Sequence, residues 1–296
     1  MPEGTVLVTG ASGHVGARLV QALRRLGRPV RALSRRQQES VDGVDWAVGD
    51  VADRGSLDAA FEGVDQAFYL VHGLADSADL EQVELDGART FAAAARDAGV
   101  ERIVYLGGLA HGDGLSPHLQ TRHDVGETLR LEGPPVVELR ASVVIGDGSA
   151  SFELVRKLVD NAPALVLPDW TDTACQPIAV DDVVAYLTAA LEIELTESRI
   201  FEIGGADRIT YGELLELYAD AVGKAPPTVK VPVLPLPVPA LLSRLAPEEA
   251  RVWLRLAEGM QFDSTVRDHS AAGAFDLQPR GVRDAIDAAL AEAEAA

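Results

Sequence analysis

The sequence has 296 residues, of which 47% are hydrophobic and 24% charged, a composition typical of a globular chain that can bury a substantial core. Its formal net charge of -20 at pH 7 disfavours nucleic acid and anionic lipid as partners. The single cysteine, Cys175, cannot form an internal disulfide. Together with an N-terminus that lacks a signal-peptide pattern, this cysteine content predicts a cytoplasmic protein.

In the first half of the chain, short apolar runs alternate with helical patterns, which is typical of βαβ units and a parallel sheet. The apolar spacing of Val15, Leu19 and Leu23 predicts a helix that Gly27 ends. Further helices are predicted at residues 79–98 and 124–131. Strands are predicted at residues 5–8, 30–33, 45–48, 67–71, 102–106 and 136–140. We therefore predict an α/β fold with a Rossmann-type, doubly wound parallel sheet.

The pattern changes near residue 149, where proline-bearing loops begin to separate the helical segments. Helices are predicted at residues 152–159, 181–191 and 211–222. We expect a dinucleotide-binding domain at residues 1–150 and a small C-terminal substrate lobe at residues 151–296 that shares its core. The apolar segment 231–242 contains four prolines and is too short to span a bilayer as a helix, so we expect no membrane partner.

A glycine-rich loop follows the first predicted strand and opens the first predicted helix. Glycines in this position allow a tight turn and the close approach of a diphosphate, and the helix N-terminus supplies unpaired N–H groups with a partial positive charge. A glycine turn without a ligand is the structural alternative. The predicted binding residues of this loop are Gly10, Ser12, Gly13, His14, Val15 and Gly16.

Several segments together resemble the atypical and extended branches of the short-chain dehydrogenase/reductase superfamily, in particular its NmrA-like NAD(P)H-binding group. The resemblance covers about residues 5–220 and implies a dinucleotide cofactor and oxidoreductase chemistry. Its segments are VTGASGHVG at 8–16, YLGGLA at 105–110, ELRASVVIGDGSASFE at 138–153, QPIAVDDVVAYL at 176–187 and FEIGGADRITYGEL at 201–214.

The end of the second predicted strand indicates which dinucleotide is preferred. Sites that prefer NAD place a carboxylate there, whereas NADP sites place an arginine that meets the 2′-phosphate. This sequence has Ser34, Arg35 and Arg36, with Arg31 as a further candidate and no carboxylate before Glu39. Because guanidinium groups bind phosphate strongly, we predict NADP(H) as the cofactor in preference to NAD(H). A solvated arginine cluster is the alternative.

The resemblance also implies two contacts farther along the chain. Asp50, with Val51 beside it, matches the family position whose carboxylate accepts a hydrogen bond from the adenine amino group. Val71, His72 and Gly73 match the segment that lies beside the nicotinamide ribose. An ordinary turn at the end of a strand would also explain a Gly-Asp pair such as that at Asp50.

The tyrosine–lysine pair that family enzymes use for proton transfer is absent, since no lysine follows a tyrosine at a spacing of four. The stretch 116–122 occupies the expected place, and there His118 replaces the tyrosine and Arg122 the lysine. Histidine can donate a proton near neutral pH, and arginine can bind a ribose or phosphate oxygen. Alternatively, both side chains only cap the beginning of a helix and lie in solvent there. No metal is expected, because the histidine spacings match no ligand motif.

We therefore favour hydride transfer between NADP(H) and a small organic substrate with a carbonyl, a quinone or an activated double bond. A non-enzymatic NADP(H) sensor would need the same loop and the same arginines but would show no turnover. A sugar-nucleotide epimerase or dehydratase is a third possibility, although such enzymes ordinarily use the missing tyrosine–lysine pair. An oligomer is compatible with the sequence, which does not specify one.

Overall fold

The computed structural model describes residues 4–39, 41–72, 80–160, 164–231 and 255–295. The strands are β1 Thr5–Val8, β2 Val30–Ser34, β3 Val44–Val48, β4 Val64–Tyr69, β5 Arg102–Gly108, β6 Val136–Ala141, β7 Val144–Ile145, β8 Leu165–Pro168, β9 Ala174–Cys175, β10 Ile178–Ala179, β11 Arg199–Ile203, β12 Ile209–Thr210 and β13 Thr228–Val231. The helices are α1 His14–Arg25, α2 Arg54–Ala60, α3 Leu80–Asp97, α4 Pro117–Glu132, α5 Ala150–Asp160, α6 Val180–Ala189, α7 Tyr211–Ala221, α8 Ser270–Ala274 and α9 Val282–Ala295. A 3₁₀ turn forms at Asp169–Asp172, and residues 255–259 are helical.

Seven parallel strands form the central sheet in the order β11-β6-β5-β4-β1-β2-β3. The first strand lies inside the sheet, where Val8 pairs with Ala32 of β2 and with Phe68 of β4. Strand order therefore reverses beside β1, and in sheets of this kind ligands bind at the carboxyl ends of the strands next to such a reversal. The predicted Rossmann-type fold is confirmed.

Both faces of the sheet are buried, as the uninterrupted apolar strands predicted. Successive side chains of a strand point to opposite faces. Accordingly Val6 and Val8 belong to the core cluster that includes residues of α1 and α6, whereas Leu7 belongs to the cluster formed with α2, α3 and α4. A third cluster joins α5, α7 and α9 beside the end of the sheet.

Some predicted boundaries were wrong. Helix α4 begins at Pro117 instead of residue 124, because the Ser116 side chain accepts a hydrogen bond from the Leu119 N–H and proline is well suited to the first turn of a helix. The fourth strand occupies Val64–Tyr69 rather than residues 67–71. The sequence analysis also missed the short α2, the edge strand β11 and the alanine-rich α9.

The seventh strand of the sheet, β11, comes from the second half of the chain, and α6 packs against α1. Residues before and after position 150 therefore contribute to the same sheet and to the same hydrophobic core. The division into two domains at residue 150 remains a prediction. No helix of the described residues is long and apolar enough to cross a membrane. Residues 232–242 of the apolar segment considered above, like Gly73, lie outside the described residues.

Candidate functional site: a cavity between the glycine loop and the C-terminal segments

The glycine loop makes a tight turn between β1 and α1. Gly10 has a φ of +63°, and a Cβ there would lie 2.6 Å from the carbonyl oxygen of Leu70. A Cβ on Gly16 would overlap the carbonyl oxygen of Gly10, so the helix can approach the loop only without a side chain at that position. Gly13 donates from its N–H to the Gly10 carbonyl (2.9 Å) and is exposed. Gly10 and Gly16 therefore shape the loop, and Gly13 forms its open surface.

The N-terminus of α1 is well suited to an anion. No acidic residue lies in the first turn of the helix, and Gly13, the residue before it, makes no side-chain cap. The first N–H groups of any helix lack intrahelical partners and carry a partial positive charge. Ser12 and Val15 lie beside these groups, which are a suitable place for a diphosphate, and the diphosphate contact remains a prediction.

His14 adds a buried, unpaired group to this end of the helix. Its Nδ1 lies 3.0 Å from Nη1 of Arg18, and since guanidinium only donates, Nδ1 must accept. The proton is therefore on Nε2, which is buried and has no hydrogen-bond partner among the described residues. Burial and the neighbouring Arg18 lower the pKa of His14 to about 4, so the ring is neutral at pH 7. An unpaired buried N–H is costly, and an acceptor oxygen of a bound ligand would relieve that cost.

Ser34, Arg35 and Arg36 lie together where β2 ends. The hydroxyl oxygen of Ser34 accepts hydrogen bonds from the Gln38 side chain (3.0 Å) and the Arg36 N–H (3.4 Å), so its proton is available for an acceptor. Arg35 and Arg36 are exposed, and the Arg35 side chain makes no hydrogen bond or ion pair with any described residue. The arrangement fits the predicted 2′-phosphate contact.

Arg31, named above as a further phosphate ligand, is engaged elsewhere. Its Nε is 2.7 Å from Asp45, and its Nη1 donates to the carbonyl oxygens of Ala60 and Glu62. Its position in β2 differs from that of Ser34 by an odd number of residues, so the two side chains project to opposite faces of the sheet. The prediction that Arg31 supports the phosphate contact was wrong.

Asp50 and Val51 begin the turn that follows β3. One carboxylate oxygen of Asp50 accepts a hydrogen bond from the Ala52 N–H at 2.9 Å, and the Asp50 N–H donates to Ser56. These bonds fix the carboxylate just after β3, at the carboxyl edge of the sheet. The adenine contact itself remains a prediction.

A cavity of about 480 Å³ connects the glycine loop with the predicted catalytic residues. Gly10, Gly13 and His14 line one side of it, and His72, His118 and Arg122 line another. The remaining wall is largely apolar and comes from the segments that follow β5 and β6 and from the C-terminal segment, with Leu109, Val143, Val144, Leu256 and Met260 among its side chains. One space is therefore open both to the phosphate loop and to His118.

His118 and His72 are in ring contact inside this cavity, with centroids 4.8 Å apart. Nδ1 of His72 lies 3.6 Å from a carboxylate oxygen of Glu84 on α3, whose side chain is only 12% exposed. Burial, His72 and Arg122 lower the pKa of His118 to about 3, and burial with Arg122 lowers the pKa of His72. Both rings are therefore neutral at pH 7, and His118 is an N–H donor rather than the imidazolium that its ordinary pKa would allow.

Arg122 lies one helical turn after His118 and is held against the end of β5. Its guanidinium donates to the carbonyl oxygen of Leu106 and lies 5.2 Å from the centre of the Tyr105 ring. The Tyr105 hydroxyl in turn donates to the Arg122 carbonyl oxygen at 2.9 Å. Arg122 is thus fixed in the cavity wall with its charge beside the two histidines.

The sequence analysis did not single out Ser142, Tyr211 or Ser264, three hydroxyl-bearing residues that also line the cavity. Ser142 and Tyr211 occur in segments that carry the family resemblance, which was the available signal. Ser264 belongs to a C-terminal region without a recognisable motif, and only the tertiary structure brings it to the other two.

Comparison with known sequences gives a family match along most of the chain. The sequence model of the NmrA-like family matches residues 2–261. A ceramide reductase of Caulobacter vibrioides is 28% identical over 243 residues, which cover 78% of this chain and 74% of that protein. The (4-alkanoyl-5-oxo-2,5-dihydrofuran-3-yl)methyl phosphate reductase of Streptomyces griseus subsp. griseus is 29% identical over 264 residues, 86% of each chain.

Solved structures share the fold. A short-chain dehydrogenase/reductase superfamily protein from Agrobacterium tumefaciens, crystallised with bound NAD, superposes with a TM-score of 0.72 at 20% identity, over 98% of both chains. At that identity the likeness concerns the fold.

Proposed function

Because the chain belongs to the NmrA-like family, as its sequence segments predicted, we propose that it is an NADPH-dependent reductase. Its substrate would be a small, largely apolar organic molecule with a carbonyl, a quinone or an activated double bond. The observation that carries this proposal is the single cavity lined both by the glycine loop and by His118 and Arg122. The reductase activities named for the two curated relatives support the same reaction class.

The residues of the glycine loop fit a dinucleotide. Gly10 and Gly16 allow the tight turn, exposed Gly13 leaves the loop surface open to a ligand, α1 begins without an acidic residue, and His14 offers a buried N–H that lacks a partner among the described residues. Arg35 and Ser34 would distinguish NADPH from NADH by binding the 2′-phosphate. When bound, the cofactor would supply the hydride.

His118 would polarise the substrate oxygen. A neutral imidazole N–H can donate a hydrogen bond to an oxygen that gains negative charge, and a lowered pKa keeps the ring in that form. Arg122 would place a fixed positive charge beside the same oxygen, and His72 and Glu84 would orient the His118 ring. A quinone would need this assistance least, because its reduced form can take protons from water.

The apolar wall supports the substrate class. Leucine, valine and methionine side chains surround most of the space beyond the glycine loop, so an alkyl or aryl portion of the substrate would be buried there. The alkanoyl group and the ceramide in the names of the two relatives are of this kind.

Two measurements test the proposal. Calorimetry should show binding of NADPH, and an assay of NADPH consumption should show turnover of at least one of four substrate classes: aldehydes, ketones, enones and quinones with apolar substituents. Tight NADPH binding without turnover in the whole panel would favour a cofactor sensor. The absence of NADPH binding would overturn the cofactor assignment itself.

A further inference from the structure

Three hydroxyl groups form a continuous chain in the cavity wall, on segments far apart in sequence. The Oγ atoms of Ser142 and Ser264 are 2.8 Å apart, and Oη of Tyr211 is 3.1 Å from Oγ of Ser264. Ser142 follows β6, Tyr211 begins α7, and Ser264 lies in the C-terminal segment. The three residues are buried, at 9%, 4% and 4% exposure, yet all line the cavity that contains His118.

In this chain of three hydroxyl groups there is one more O–H proton than there are hydrogen bonds to use it. Three hydroxyl groups carry three protons, and the two bonds that join them use two. The only further bond to these oxygens from a described residue is the Gln176 N–H, which donates to Ser142 at 3.3 Å and so uses an acceptor site, not a proton. Whichever way the bonds of the chain run, one O–H proton has no acceptor among the described residues.

The surroundings favour a neutral partner for that proton. Burial raises the pKa of Tyr211, and Cys175 and Asp263 raise it further, so its hydroxyl stays protonated. The negative charge of Asp263 disfavours an anion close by. Val143 and Met260 are apolar neighbours in the same wall, where a hydroxyl without a hydrogen-bond partner is unfavourable once water is displaced.

We propose that Ser142, Ser264 and Tyr211 form a second recognition point, which donates one hydrogen bond to a neutral oxygen of the substrate, a carbonyl or ether oxygen away from the reacting carbon. This inference rests on the proposed function, since it concerns the substrate of the same cavity. It adds that the substrate carries two oxygen functions separated by an apolar portion. A substrate without the second oxygen would displace water from the spare hydroxyl and leave it unpaired, and would bind about tenfold more weakly.

The test compares ketones that differ only in a second carbonyl. The probes are 2-undecanone and its 2,6-, 2,8- and 2,10-diones, titrated calorimetrically in the presence of saturating NADP⁺. The wild-type protein should bind at least one dione about tenfold more tightly than 2-undecanone. The triple variant Ser142→Ala/Tyr211→Phe/Ser264→Ala, which has no hydroxyl left, should lose this preference.

Control variants show whether the dione preference depends on these three hydroxyl groups. Tyr218→Phe, on the same helix as Tyr211, removes a hydroxyl that donates to Asp160, and should keep the dione preference. If the triple variant does not fold, the single variants Ser142→Ala, Tyr211→Phe and Ser264→Ala decide, because removing the hydroxyl that donates to the substrate must weaken the preference.

The outcomes separate the two proposals. Equal binding of ketone and diones, or no dione binding at all, would overturn the recognition point, as would a preference that survives in the triple variant or in all three single variants. A dione preference without any NADPH-dependent reduction would uphold the recognition point and contradict the reductase.

Discussion

The imidazole rings of His72 and His118 lie 4.8 Å apart at an angle of 46°, and Arg122 is close enough to lower the pKa of both. Two rings in contact beside a guanidinium cannot readily both be charged. The pair is therefore neutral under ordinary conditions, and His118, which the resemblance matched to the tyrosine of family enzymes, is a neutral N–H donor.

Replacing His118 should slow the reduction of carbonyl substrates. His118→Phe removes the donor and should lower kcat for a ketone or aldehyde by about 10²–10³-fold, the usual contribution of a hydrogen-bond donor to a developing oxyanion, with NADPH affinity nearly intact. For a quinone the loss should be much smaller. Steady-state kinetics with both substrate types check this. His118→Gln, which keeps an N–H donor, should recover part of the rate, and His269→Phe, at an exposed site, should have no effect. Full carbonyl activity in His118→Phe would remove this residue from the mechanism.

The pH profile of that reaction distinguishes a neutral donor from an imidazolium. Because burial, His72 and Arg122 lower the pKa of His118 to about 3, the ring stays neutral from pH 5 to pH 8. We expect kcat/KM for a ketone to show no limb attributable to His118 in this range, with wild type and His118→Gln giving parallel profiles. A limb near the ordinary histidine pKa of about 6.5 that disappears in His118→Gln would show that the imidazolium is the active form.

The same lowered pKa should destabilise the protein in mild acid. The unfolded chain takes up a proton on His118 near pH 6.5, whereas the folded protein does so only near pH 3, so the free energy of unfolding falls as the pH falls between these values. One such group contributes a slope of at most about 1.4 kcal/mol per pH unit. Urea denaturation from pH 7 to pH 5 should therefore show a smaller slope in His118→Asn than in wild type. His269→Asn serves as the control, and equal slopes in all three proteins would contradict the assignment.

Charge reversal at Arg35 should change the cofactor preference. Arg35→Asp loses a charge-assisted hydrogen bond to the 2′-phosphate and gains a repulsion, so NADPH should bind at least about 30-fold more weakly while NADH changes little. Arg25→Asp reverses the same charge at the far end of α1, a 12-residue helix roughly 18 Å long, and should affect NADPH far less. Calorimetry that found equal affinities of the wild-type protein for NADPH and NADH would refute the 2′-phosphate contact.

A side chain on Gly13 should block the dinucleotide without unfolding the protein. Gly13 has an ordinary φ of -81°, and its Cβ would lie 3.1 Å from the Gly10 carbonyl oxygen, a contact that small adjustments relieve. Gly13→Val should therefore keep a near-normal far-UV circular dichroism spectrum and lose NADPH binding. Gly273→Val, where a Cβ meets no atom of a described residue within 4 Å, controls for the substitution itself. Retained binding in Gly13→Val would place the diphosphate elsewhere.

Local sequence patterns were sufficient to predict the sheet and the phosphate loop. Buried parallel strands are continuous apolar runs, and the loop after β1 needs glycines at fixed positions, so both leave a direct trace in the sequence. The same patterns failed for β11, which begins with Arg199 and whose apolar run is interrupted by Glu202, and for the beginning of α4, where a single capping serine decides the boundary.

The sequence by itself determined the fold, the glycine loop and the candidate positions of Ser34, Arg35, His118 and Arg122, because each depends on residues close together in the chain. Only the tertiary structure showed that Arg31 is bound to Asp45 and that His118 is neutral, because both follow from neighbours on other elements. The hydroxyl chain, too, was visible only in the tertiary structure. Ser142 and Ser264 are 122 residues apart in sequence, and the C-terminal segment brings them together beside the end of β6. Burial and long-range contacts determine the pKa of a side chain and decide whether a hydrogen-bond donor finds a partner. A local sequence pattern encodes neither property.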